Sequence, residues 1–179
     1  MSDRDLRRLT TTRLLCEALT PAHAAEVQPL LGDPRVAATL SPTSLPPAPG
    51  GSPEELKAKA EHWRRHGFGL WLLRDRATDA MVGRGGLQHT LIGDVDEVEI
   101  AWAIVPERWR EGLATELAVT CIEVALDDLA LPSVMAYTRI HNVASRGVMT
   151  KAGMSLEREF VDRWGQRSVL YRCRNTGIA

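Results

Sequence analysis

Ile100-Ala101-Trp102-Ala103-Ile104-Val105-Pro106-Glu107-Arg108-Trp109-Arg110-Glu111-Gly112-Leu113-Ala114-Thr115-Glu116-Leu117 runs from an apolar stretch through a proline stop and a charged loop with one glycine into a helical pattern. Pro106 has no N–H to give a neighbouring strand, so the chain leaves its sheet there. Gly112 allows a close backbone approach. From Leu113 to Leu129, Leu113, Leu117, Cys121 and Val124 recur on one side, with Ala114, Ala118, Ile122 and Ala125 beside them, while Glu116, Glu123 and Asp127 stay polar. That helix is packed along one face and open at its first turn. A helix N-terminus carries unpaired N–H groups and the positive end of the dipole, and Arg108 and Arg110 add charge, so a phosphate would be held there. A plain strand-to-helix connection with a solvated basic loop fits the same pattern.

A second stretch, His141-Asn142-Val143-Ala144-Ser145-Arg146-Gly147-Val148-Met149-Thr150-Lys151-Ala152-Gly153-Met154, opens on an Asn suited to cap a helix and closes on a Gly suited to stop one. Together the two stretches resemble the GNAT acetyltransferases, closest to the branch with ribosomal-protein N-terminal acetyltransferases. The family's pyrophosphate loop, Arg/Gln-x-x-Gly-x-Gly/Ala, is matched by Gly112 and Ala114. Its later Asn-x-x-Ser…Lys-x-Gly-Met/Phe stretch is matched by Asn142, Ser145, Lys151, Gly153 and Met154. The first loop position is Trp109 in place of Arg or Gln, which leaves the phosphate contact to backbone amides and to Arg108 or Arg110. The resemblance implies acetyl-coenzyme A as acyl donor. It places the coenzyme along Ile104 and Val105, the loop Arg110, Glu111, Gly112, Leu113, Ala114 and Thr115, and Asn142 and Arg146. A surface role for Arg146 is the alternative.

The chain of 179 residues, 44% of them hydrophobic, has the size of one domain, 1–179, with a real core. Its net charge of −1 gives no basic field for nucleic acid. Cys16, Cys121 and Cys173 form neither a zinc pattern nor a disulfide framework and read as reduced core thiols. No apolar run is long enough for a signal peptide core or a membrane span. These features predict a soluble cytoplasmic protein, monomer or homodimer.

The remaining pattern predicts a strand over 12–19, a helix over 21–31 and a helix from Pro53 to His66 begun by a capping box of Ser52 and Glu55. Strands follow over 68–74, 81–90, 96–105 and 133–139, then a helix over 142–152 and a hairpin of 154–162 with 168–174 turning at Gly165. Ser41 to Gly51, with four prolines and two glycines, is a substrate-side loop or a connector. The fold class is therefore α/β (α+β), a GNAT-like mixed, mostly antiparallel central sheet of six or seven strands with helices on both faces.

Transfer of an acetyl group to an amine needs a base, a polarised carbonyl and a proton for the departing thiolate. The resemblance assigns the carbonyl contact to the Ile104 N–H. Strand alternation puts Glu97, Glu99, Ala101 and Ala103 on one face and Val98, Ile100, Trp102 and Ile104 on the other. Glu99, followed by small residues, is the candidate base, matching a Glu often found there in the branch; a solvated sheet carboxylate is the bland alternative. Glu97 is the weaker choice. The helix at Asn142 carries no Tyr, so Ser145 is the candidate proton donor, by hydrogen bond or through water. A local bond to backbone in the first helical turn would equally explain Ser145. Asn142 can both cap its helix and meet the pantetheine arm. His62 and His66 stand at i and i+4, yet no third ligand is apparent, so no metal is expected. His141 reads as a rim residue, Trp71 and Trp164 as core or pocket packing, and Trp102 and Trp109 as flanks of the coenzyme site. The leading expectation is an acetyl-coenzyme A dependent N-acetyltransferase acting on a protein N-terminus or a small-molecule amine. A non-catalytic coenzyme-binding module is the alternative, and a P-loop is disfavoured because no Gly-Lys-Ser/Thr follows the loop.

Overall fold

The structure is a computed structural model that describes residues 4–40 and 51–177. Its strands are β1 (Arg8–Thr10), β2 (Leu14–Ala18), β3 (Leu70–Asp75), β4 (Met81–Ile92), β5 (Val95–Ile104), β6 (Ser133–Arg139), β7 (Ser155–Val161) and β8 (Arg167–Arg174). Its α-helices are α1 (Ala24–Gly32), α2 (Pro34–Leu40), α3 (Pro53–His66), α4 (Leu113–Glu123) and α5 (Val143–Lys151). The strands form one sheet in the order β1-β2-β3-β4-β5-β6-β8-β7, in which β5 and β6 are the parallel pair and the other neighbours are antiparallel.

Alternation along the strands sends apolar side chains to both faces. Trp71, Leu73, Ile100 and Ile104 pack with Leu113, Leu117 and Cys121 of α4. Leu70, Leu72 and Ala103 pack on the other side with Val27 and Leu30 of α1, Val36 of α2 and Leu56 of α3. Burying such side chains contributes about 1.5–3 kcal/mol each. The helix α4 approaches the sheet closely because β4 offers Gly85 beneath it: a Cβ there would lie 2.5 Å from Leu117 Cδ2 and 2.6 Å from the Ala101 carbonyl oxygen.

Departures from the sequence reading have local causes. The sheet has eight strands where six or seven were expected. The additional strand, β1, is three residues long and alternates too briefly to be seen. The strand expected from residue 12 starts at Leu14, because Thr11 closes a turn by accepting from Leu14 N–H through its hydroxyl at 2.9 Å while its own N–H donates to the Leu14 carbonyl at 2.9 Å. The helix expected over 21–31 divides into a 3-10 turn at Pro21–His23 and α1, which tolerates Pro29 in its interior. Helix α2 was not expected, although Asp33 before Pro34 is a start signal, and the Asp33 carboxylate accepts from Arg35 N–H at 2.8 Å. At α3, Ser52 Oγ accepts from Glu55 N–H at 3.1 Å, but Glu55 reaches Gly51 N–H at 2.7 Å, one residue earlier than a capping box requires. Helix α4 ends at Glu123 and relaxes into a π turn over Val124–Asp128. The Pro-rich loop, apart from Gly51, lies outside the described residues. Among the described residues no helix is long and apolar enough to cross a membrane.

Gly85→Ala should lower the unfolding free energy by about 1–3 kcal/mol through overpacking against α4. Urea unfolding followed by circular dichroism reads this directly, and an unchanged midpoint would show that α4 does not depend on the glycine.

Candidate active site

The parallel strands β5 and β6 meet at one register pair, Glu99 opposite Met135, and then diverge. A cleft of about 870 Å³ fills the divergence. Its walls are β5 from Glu99 to Ile104, the first turn of α4, the end of β6 from Tyr137 to Arg139, and the start of α5. Val36, Thr39 and Leu40 of α2 and Asp162, Trp164 and Ser168 close it further.

The backbone of β5 decides what this gap presents. Val105 N–H donates to the Val82 carbonyl on β4 at 2.9 Å. Successive residues of a strand direct their N–H groups to opposite sides, so Trp102 and Ile104 turn theirs away from β4 and toward the gap. The Ile104 carbonyl is taken by Trp109 Nε1 at 2.7 Å, which leaves its N–H facing the opening. Val105, whose amide is spent on β4, does not line the cleft.

Beyond Pro106 the chain turns through two residues of positive φ, Arg110 at 67° and Gly112 at 83°. Gly112 stands at the N-cap of α4 and brings no capping side chain. The amides of Leu113, Ala114 and Thr115 therefore lack an intrahelical acceptor, and all three residues line the cleft with Gly112 and Arg110. The helix start is fixed from outside by Glu116, whose carboxylate accepts from Thr11 Oγ1 at 2.5 Å, Arg13 N–H at 2.7 Å and Arg13 Nε at 2.7 Å. Burial pulls the Glu116 pKa up, but these hydrogen bonds outweigh it and hold the carboxyl below its usual range. Arg108 lines the cleft but is tied down, to Asp75 at 2.9 Å and to Glu111 at 2.7 Å. Glu111 points its carboxylate at Arg108 and gives its carbonyl to Arg13 Nη1 at 2.7 Å, outside the cleft.

On the opposite wall, Asn142 Oδ1 caps α5 by accepting from Ser145 N–H at 3.1 Å, and both residues line the cleft. Lys151, the last residue of α5, does so as well. Arg146 does not. Its Nη1 donates to the Ile140 carbonyl at 3.0 Å and its Nε approaches the Tyr171 hydroxyl at 3.5 Å, so it is neither a cleft residue nor a free surface arginine.

Glu99 stands at the base of the divergence, half-buried, and accepts from Gln88 Nε2 at 3.1 Å. Gln88 in turn accepts from Lys59 Nζ at 2.9 Å, a chain that runs from α3 across β4 to β5. Burial pushes the Glu99 pKa up from its ordinary 4.5, against the opposing pull of Gln88, Lys59 and Arg84. Glu97 is held by Arg172 through two hydrogen bonds, 2.9 and 2.7 Å, and is structural. Tyr137, which the sequence reading passed over, lines the cleft two residues past the Glu99–Met135 register. Burial and the charge of Glu99 raise its pKa to about 12, so its hydroxyl stays a donor. Arg139 also lines the cleft, and its Nη2 is buried with no hydrogen-bond partner. The alternation of β6, which puts Tyr137 and Arg139 on one face, was the available signal for both. Trp102 and Trp164 line the cleft, while Trp71 is fully buried in the core. None of the three cysteines lines it. Burial raises the Cys16 thiol to about 12 and raises Cys121 as well.

Known proteins place this architecture. Residues 13–155 match the acetyltransferase (GNAT) domain family. The chain belongs to that family. A curated relative, an uncharacterized N-acetyltransferase, YoaA, of Bacillus subtilis, is 30% identical over 87 residues. That stretch spans about half of each protein, 49% of this chain and 49% of the relative. Among solved structures, an acetyltransferase from Agrobacterium tumefaciens superposes with a TM-score of 0.77 at 21% identity, covering 97% of this chain and 98% of that one. A ribosomal L7/L12 alpha-N-protein acetyltransferase in complex with coenzyme A superposes with a TM-score of 0.74 at 14% identity, covering 93% and 96%. At these identities the structural likeness is one of fold.

Asn142→Ala removes the cap of α5 and should lower stability by about 1 kcal/mol, with Asn142→Asp losing less. Paired thermal melts of the two variants check this.

Proposed function

We propose that this chain transfers an acetyl group from acetyl-coenzyme A to a primary amine, by direct attack within a ternary complex. The observation that carries the reading is the unspent Ile104 N–H in the strand gap, with the open first turn of α4 on one side and the half-buried Glu99 on the other. The amides of Leu113, Ala114 and Thr115, the helix dipole and Arg110 suit a pyrophosphate. Arg139 supplies one further buried donor that a ligand oxygen would satisfy.

In the reaction Glu99 accepts a proton from the amine, directly or through water, as the nitrogen forms its bond to the acetyl carbon. The Ile104 N–H stabilises the charge that develops on the carbonyl oxygen. As the carbon–sulfur bond breaks, Ser145 at the start of α5 hydrogen-bonds the thiolate and relays to it a proton drawn from water. A covalent acyl-enzyme finds no support, since no cysteine lines the cleft and the buried thiols are held protonated. The acceptor is a protein N-terminus or a small-molecule amine, approaching past α2 and Trp164. The chain works as one cytoplasmic domain, monomeric or homodimeric.

A coupled assay for coenzyme A release with a panel of amines tests this. Glu99→Gln should lower kcat about 100-fold or more while leaving coenzyme affinity within twofold, and Ser145→Ala should lower it less. Because Glu99 must be deprotonated to act, kcat/KM should rise with pH through a limb above 4.5, and that limb should vanish in Glu99→Gln. Coenzyme binding with no turnover on any amine would favour the non-catalytic coenzyme-binding module instead.

Gly112→Val forces a branched side chain into positive φ at the α4 N-cap, a strain of about 1–3 kcal/mol. Calorimetry should show coenzyme A binding about tenfold weaker or worse. Equal affinity would count against the loop as the pyrophosphate site.

A further inference from the structure

Outside the cleft, three of the chain's five histidines converge. His62 and His66 share a face of α3, and His89 on β4 supplies the third imidazole that the sequence spacing does not reveal. The ring centroids of His62 and His66 lie 4.5 Å apart, those of His66 and His89 4.4 Å, and those of His62 and His89 5.6 Å. One ring nitrogen from each can be chosen so that all three lie within 4.8 Å of one another. We propose that His62, His66 and His89 bind a divalent transition-metal ion of the zinc class, at the junction of α3 with β4.

The surroundings orient the rings as ligands. His62 Nδ1 donates to the Phe68 carbonyl at 2.9 Å, which leaves the Nε2 lone pair available. His89 Nδ1 lies 3.0 Å from the Asp96 carboxylate, which likewise frees Nε2. A backbone carbonyl and a carboxylate on the far nitrogens are the outer partners that metal-bound histidines commonly use. His66 stands between them at the surface, so an ion can enter from solvent and keep water in a fourth position. His62 Nε2 accepts from His89 N–H at 3.1 Å and exchanges that single neutral hydrogen bond for a metal–imidazole bond. Three imidazoles suit zinc, nickel or copper, and do not suit magnesium or calcium, which take oxygen ligands. The ion would pin the C-terminal end of α3, the helix that carries Lys59 toward Gln88 and Glu99.

The full chain, stripped with a chelator, is titrated with Zn²⁺ by calorimetry and melted with and without the ion. The expected result is one Zn²⁺ per chain, a higher melting temperature with metal, and at least tenfold weaker binding in both His66→Ala and His89→Ala. Asp96→Asn should weaken it about tenfold by releasing the His89 ring. His66 is exposed, so His66→Ala should melt as the wild type does without metal, which separates a lost ligand from a damaged fold. Absence of stoichiometric binding, or binding untouched in both His66→Ala and His89→Ala, would overturn the site.

Discussion

Backbone N–H and C=O groups inside a protein are nearly always paired, and the divergence of β5 from β6 leaves a strand edge in the middle of the sheet where that rule is strained. Past Glu99 and Met135 the two strands no longer bond, so Trp102 and Ile104 face a gap. The indole of Trp109 closes one of the exposed groups, the Ile104 carbonyl. The rest of the arrangement keeps the gap open. Pro106 ends β5, positive φ at Arg110 and Gly112 swings α4 so that its N-terminus looks into the gap, and the Asn142 cap starts α5 on the other wall. A ligand with its own amide chain and an anionic end meets in this gap the two kinds of group that the fold leaves unpaired.

The charges near the opening are mostly compensated within the protein. Arg108 is shared between Asp75 and Glu111, and Glu116 is saturated by Thr11 and Arg13. These pairs are partly exposed, and each adds little to stability by itself. Their effect is positional, because they bind the loop and the first turn of α4 to the turn between β1 and β2 and to the end of β3. What the opening presents is consequently backbone amides and the positive end of a helix dipole. Trp109, which stands where the resembled pattern has Arg or Gln, spends its indole N–H on the Ile104 carbonyl. Glu99 obeys a different balance. Gln88, Lys59 and Arg84 all favour its charged form, yet burial prevails and its pKa rises. A carboxyl poised in that way takes up a proton more readily than an exposed one.

Legibility in the sequence followed locality. The stretch from Ile100 to Leu117 announced strand, stop, turn and helix because each signal sits within a few residues, and the structure returns all four. The Asn142 cap and the Gly153 stop were legible for the same reason. Strand β1 was invisible because its stability comes from pairing with β2, not from its own three residues. The bonds of Arg146 were not legible because only the fold shows the Ile140 carbonyl and Tyr171 beside it. Tyr137 and Arg139 were missed because nothing in β6 itself says that its neighbour departs after Met135.

The same distinction separates the two halves of the cleft. A helix N-terminus, a strand end and a cap are made by contiguous residues, so the wall suited to the coenzyme can be written as a short motif. The opposite wall takes α2 from residues 34–40, Glu99 with its support from Lys59 and Gln88, Tyr137 and Arg139 from β6, and the turn carrying Asp162 and Trp164. These parts lie far apart in the chain and meet only through the folded sheet. A fold divided this way can hold its donor chemistry constant while its acceptor drifts. The buried Arg139 guanidinium nitrogen, without a hydrogen-bond partner among the described residues, joins the Ile104 N–H and the first-turn amides of α4 as a donor that the fold itself leaves unpaired.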